Sequence, residues 1–157
     1  MENNATLYVK ANQEQTLNRI VYYLNGDSRP DFEDEIPKQE QKIFQFFEFA
    51  EVPDEVYPLS THEVVAYFEP DGIEEMEEIV RAVSLLKPDA IYFYFADDED
   101  TREYYQGLHL VYTETVEDSR MEELNKKIPT DIAKVITETE DKGNALSILA
   151  KYFEQNK

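Results

Sequence analysis

Residues Ala90–Phe95 read AIYFYF, a short run that is apolar at odd and even positions alike. Successive side chains of a strand point to opposite faces, so a strand of this composition needs cover on both. It therefore reads as a central or covered strand, and the rest of the chain must supply its neighbours. Thr61–Glu69 (THEVVAYFE) reads as another strand, after which Ile73, Met76, Val80 and Val83 fall on one helical stripe. Asp71 and Glu74 make an Asp-x-x-Glu capping box at the start of that helix, and Lys87-Pro88 ends it. Two strands joined by a helical crossover run parallel, so both C-terminal ends are expected at the same edge of the sheet.

The flanking segments extend this pattern. Thr6–Ala11 alternates, with Leu7, Val9 and Ala11 on one face, as a half-buried strand does. Asn12 with Gln15 offers an N-cap to a helix carrying Leu17, Ile20, Val21 and Leu24, which Asn25-Gly26 closes. Residues 26–41 are polar, hold two prolines and read as an exposed loop. In residues 42–51, Ile43, Phe46, Phe47 and Ala50 fit a helix, but the density of phenylalanine favours a strand. A last strand is expected near Leu108–Thr115, with Tyr104 and Tyr105 in the loop before it. Ser119 with Glu122 reads as a capping box, Pro129 interrupts the helical pattern, and a final helix after Gly143-Asn144 buries Leu146, Leu149, Ala150 and Phe153.

The order β-α-β-β-α-β(-β) followed by helices predicts one α+β domain over residues 1–157. The expected architecture is a ferredoxin-like sheet with helices on one face and a helical C-terminal extension. At 157 residues the chain needs no covalent staple, and with no cysteine it has neither a disulfide nor a thiolate chemistry. The start MENNATLYVK lacks a signal-peptide pattern and no apolar run spans a bilayer, so the expected compartment is the cytoplasm. The Asn4-Ala5-Thr6 sequon carries no weight in that compartment.

Recognised catalytic chemistry finds little to stand on. The four glycines never take a phosphate-loop spacing, and no Gly-x-Ser-x-Gly elbow occurs. His62 and His109 both fall in expected strands and read as ordinary strand histidines. The alternative is a pair meeting across adjacent strands beside Glu63 or Glu114, as a base or a ligand. Asp97-Asp98-Glu99-Asp100 lacks the alternating spacing of a calcium loop and reads as a solvated acidic turn. Tyr92 and Tyr94 share one strand face, and with Tyr104, Tyr105 and Phe68 they line either a ligand pocket or a sheet face beneath the C-terminal helices. No catalytic, metal or cofactor site is expected.

Charge is the most informative remaining feature. The formal net charge is −20, and residues 51–118 hold three basic side chains against nineteen acidic ones. Such a field repels phosphates and anionic lipid and attracts basic partners. The expected crossover brings Glu69, Asp71, Glu74, Glu75 and Glu78 beside Asp97, Asp98, Glu99 and Asp100, with Tyr104 and Tyr105 following. In size, acidity and want of catalytic motifs, a likeness of profile alone, the chain resembles bacterial immunity proteins. The resemblance implies a non-enzymatic acidic protein docking on a basic partner, a toxin or a nucleic-acid enzyme, with that surface as its site. The alternative is a small-molecule or divalent-metal sensor module using the aromatic strand face and the acidic loop.

Overall fold

The computed structural model describes residues 3–26, 37–41, 45, 53–115 and 128–156. The chain builds a six-stranded, wholly antiparallel sheet in the order β2-β3-β1-β4-β5-β6. The strands are β1 (Asn4–Lys10), β2 (Glu55–Pro58), β3 (Glu63–Phe68), β4 (Ala90–Ala96), β5 (Thr101–Gln106) and β6 (His109–Thr115). The helices are α1 (Glu14–Leu24), α2 (Ile73–Ser84), α3 (Thr130–Glu138) and α4 (Lys142–Gln155). β1 lies between β3 and β4 and is antiparallel to both, so β3 and β4 run parallel to one another with α2 as their crossover.

The strict alternation of β1 divides the interior into two layers. Leu7 and Val9 join Val64, Ala66, Phe68, Phe93 and Phe95 beneath α1 and α2. Tyr8 joins Val65, Tyr92, Tyr94, Tyr104 and Tyr112 beneath α3 and α4. Helices thus cover both faces, where the sequence predicts helices on one face and an extension beyond them. The cause is visible in β4, whose Phe93 and Phe95 need one cover and whose Tyr92 and Tyr94 need another. The C-terminal helices are that second layer.

Local differences from the sequence reading have physical causes. Thr101–Gln106 is a strand, because the two-residue turn at Gly107-Leu108 (Gly107 φ 59°) folds it back onto β6. A bulge between Tyr104 and Tyr105 breaks the register there. β2 is also unforeseen: it is four residues long and mostly exposed, and its terminal Pro58 is tolerated at a sheet edge. Of the strand expected over residues 42–51 only Gln45 is described, and it is helical rather than extended; most of the loop 26–41 and the Ser119/Glu122 box lie outside the described residues. α1 starts from Gln13 and α2 from Gly72, neither with a side-chain cap. The expected Asp71 cap is reversed, since Glu75 Oε2 accepts the Asp71 N–H at 3.0 Å.

α4 approaches the sheet most closely at its start. Its N-cap Asp141 accepts the Gly143 N–H at 2.9 Å and the Tyr67 hydroxyl at 2.7 Å. A Cβ on Gly143 would lie 2.9 Å from Val65 Cγ1 and 3.1 Å from Tyr67 Oη. At the start of β3, Glu63 accepts bonds from Tyr8, Ser60 and Ser147, tying α4 to the sheet again. Burial would raise the Glu63 carboxyl, but these donors outweigh it and hold it below the usual carboxylate range.

Candidate functional site

Register fixes where the acidic segments meet. Ala5 of β1 pairs with Phe68 at the end of β3, and Asn4 pairs with Ala96 at the end of β4. Glu69 and Asp97 therefore leave the sheet on either side of the start of β1, roughly 10 Å apart at two interstrand spacings. The Asn3 side chain bridges part of the gap, its Nδ2 donating to the Asp71 carbonyl at 2.8 Å. α2 begins immediately beyond, with Glu74 and Glu75 in its first turn. The expected convergence of the two carboxylate segments is thus a consequence of β3 and β4 being parallel about a shared central strand.

Within this end the carboxylates do different things. Asp97 shapes the β4–β5 turn: its Oδ1 accepts the N–H groups of Glu99 at 3.0 Å and Thr101 at 2.9 Å, and Asp100 takes a φ of 63°. Glu75 holds the entry to α2. Asp98, Glu99 and Asp100 are left exposed at the tip of the turn, and Glu69, Asp71, Glu74 and Glu78 are exposed beside and along α2. None of Glu74, Glu78, Asp98, Glu99 or Asp100 forms an ion pair with a described residue. Glu74 and Glu78 are four apart on the helix, a like-charge spacing that costs rather than adds stability. Capping and the helix dipole account for the acids of the first turn. They do not account for the exposed turn or for Glu78.

Tyr104 and Tyr105 do not belong to this exposed end. Tyr104 has no exposed surface and stacks on Tyr112 with ring centroids 4.9 Å apart. Tyr105 points to the other layer and stacks on Phe93 at 4.3 Å. Adjacent residues of a strand point to opposite faces and both faces of this sheet are covered, so both rings lie in the core and neither reaches a docking partner. Tyr94, Tyr104 and Tyr112 occupy paired positions on three adjacent strands and form a buried ladder. Burial pushes all three phenols above the ordinary tyrosine range. The aromatic strand face is thus roofed by α3 and α4 and offers no open pocket at the ladder.

The histidines are also separated. His62 precedes β3 and His109 starts β6, with β1, β4 and β5 between their strands, so they cannot meet. Glu114 is instead held by the Tyr112 hydroxyl at 3.0 Å and faces Arg102 at 3.9 Å. Among the described residues no group of three or more His, Asp or Glu side chains is placed to hold a metal ion.

Two cations that the sequence did not single out border the acidic end. Arg102 pairs in register with Ala96 and Glu114, two residues along from the tyrosine ladder. Lys142, the first residue of α4, places its Nζ 5.5 Å from the centre of the Tyr94 ring and donates to the Thr139 carbonyl at 2.9 Å. Burial first, and then the neighbouring Arg102, lower the Lys142 amine below the usual lysine range against the pull of Glu114. No spacing in the sequence announces this cluster, because it is assembled from β4, β5, β6 and α4 by register alone.

The arrangement can therefore concentrate negative potential at one end of the sheet. Comparison with known protein families, with curated proteins and with solved structures gives no match for this chain. No helix among the described residues is long and apolar enough to cross a membrane.

Proposed function

We propose that the chain is a non-enzymatic acidic binding protein that docks on a basic protein partner, an immunity-type inhibitor of a toxin or nuclease acting in the cytoplasm. The observation that carries this reading is the pairing of Ala5 with Phe68 and Asn4 with Ala96, which gathers two carboxylate segments at one end of the sheet. Clustered like charges reduce stability, and a cationic partner that neutralises them removes that cost. An array of carboxylates on a fixed scaffold presents negative charge where a nucleic-acid enzyme expects phosphates, and its field speeds encounter. The first four strands support a ferredoxin-like reading of the scaffold. From one edge they run β4-β1-β3-β2, and α1 and α2 both pack on the same face.

The test is affinity capture from a host lysate with the bound fraction washed at rising salt, repeated with Glu69, Glu74 and Asp98–Asp100 changed to Lys. One stoichiometric basic protein, released as salt screens the contact and absent from the charge-reversed capture, is the expected outcome. A partner retained equally by the charge-reversed chain would place the interface elsewhere.

A further inference from the structure

The end of the sheet opposite the acidic turn carries a cleft of about 370 Å³, between the close of β1, the starts of β4 and the last turns of α4. That volume lies within the range of small-molecule sites, roughly 300–1,000 Å³. One wall is aromatic: Tyr92 and Phe153 stack with centroids 6.1 Å apart and planes 22° from parallel. Tyr92 is buried beneath the wall, and Phe153 is partly exposed where α4 borders the cleft.

The polar groups around that wall are unequal in kind. Lys10 is the cleft's one cationic side chain among the described residues, and it is already paired with Glu154. Asp89 Oδ2 accepts the Asn12 backbone N–H at 2.6 Å, which fixes the carboxylate at the rim and leaves its other oxygen uncommitted among the described residues. The Asn156 Nδ2 donates to the Tyr152 carbonyl at 2.8 Å, leaving its amide oxygen as an acceptor. The side-chain amides of Asn12, Gln106 and Asn156 and the Tyr92 hydroxyl offer donors and acceptors alike, so charge decides: Asp89 and Glu154 against Lys10 leave the lining net negative, inside a chain whose net charge is −20. A ligand that suits this inventory brings N–H donors and positive charge to the carboxylates and an apolar ring to the aromatic wall. An ammonium group near such a ring gains from the ring quadrupole as well as from the carboxylate.

We propose that this cleft is a binding site for a small arylalkyl amine, its ring laid against Phe153 where that ring covers Tyr92 and its ammonium group held by Asp89, beside the Lys10–Glu154 pair. The site is independent of the acidic docking surface, which lies at the other end of the strands.

Nuclear magnetic resonance on the full chain tests this with three probes: tyramine, 4-hydroxyphenylacetate (the same ring with the opposite charge) and putrescine (an amine with no ring). Tyramine is expected to shift the Phe153 and Tyr92 ring resonances saturably. The carboxylate probe is expected to leave them unmoved, and putrescine to bind at least tenfold more weakly. Asp89→Asn, which keeps the acceptor for Asn12, is expected to weaken tyramine about tenfold, as is Phe153→Leu if circular dichroism shows it folded. No saturable shift with tyramine overturns the proposal, as does equal binding of the carboxylate probe. Shifts confined to residues 69–78 and 97–100 also overturn it, because they would mark general attraction to the acidic end. Unchanged affinity in Asp89→Asn does the same, whatever Phe153→Leu does.

Discussion

The contact between α4 and β3 makes Gly143→Ala the most informative single change. Adding a Cβ places a methyl group 2.9 Å from Val65 Cγ1 and 3.1 Å from both Val65 Cγ2 and Tyr67 Oη. Val65 has no exposed surface and is β-branched, on a strand paired on both sides, so its methyls have one rotamer and nowhere to turn. Tyr67 is held by its bond to Asp141, and Asp141 in turn caps α4 through the Gly143 N–H. Relief requires α4 to back away from β3, which strains both bonds. Overpacking of this kind costs about 1–3 kcal/mol. Replacing a helical glycine by alanine returns at most about 1 kcal/mol. The net expectation is a loss of about 1–2 kcal/mol, read as a lower urea midpoint with unchanged slope. Val65→Ala removes both offending methyls, so the double variant should be less destabilised than the two single losses added together. A Gly143→Ala chain as stable as the parent, or strictly additive losses, would refute the close-packing argument.

Three further outcomes follow from the tyrosine ladder and its surroundings. Tyr104 Oη is buried with no hydrogen-bond partner among the described residues, so Tyr104→Phe is expected to leave stability unchanged or raise it by about 1 kcal/mol in urea melts. Tyr112→Phe strips hydrogen bonds from Glu114 and Thr137 and is expected to cost about 1 kcal/mol or more in the same assay; equal effects for the two would contradict the assigned bonding. Burial pushes the Tyr112 phenol up to about 12, against a weaker lowering by its Thr137 bond, and raises that of Tyr104 further. The folded state keeps both protonated where the unfolded chain ionises near 10, so their contribution is complete below about pH 10 and is lost as pH climbs through 12. Melts from pH 8 to 12 should show stability falling only above about 10, with tyrosinate absorbance of the buried rings appearing as the fold is lost. Full titration of every tyrosine near pH 10 in a still-folded chain would count against their burial.

Much of this molecule was readable one segment at a time. Alternation in residues 6–11 and the two-faced run AIYFYF located β1 and β4, and the stripe Met76, Val80 and Val83 located α2. A parallel helical crossover between β3 and β4 is enough to place Glu69 and Asp97 at one end. Each of these signals is local, because periodicity of 2 or 3.6 depends only on which side of one element meets a core. Net charge and its concentration in residues 51–118 belong to the same class, since composition needs no fold to be counted.

What escaped was whatever depends on two distant segments sharing a surface. The strand TREYYQ looked like loop because its two adjacent tyrosines break alternation, and only pairing with β4 and β6 in a sheet covered on both faces gives each ring a buried side. The exclusion of Tyr104 and Tyr105 from the acidic surface, the separation of His62 from His109 and the meeting of Lys142 with Tyr94 were likewise settled by strand order and register. The cleft between Lys10 and Glu154 joins residues 144 positions apart. Side-chain pattern reports how each element is buried, whereas register and helix docking decide against what, and those minimise the free energy of the whole chain at once.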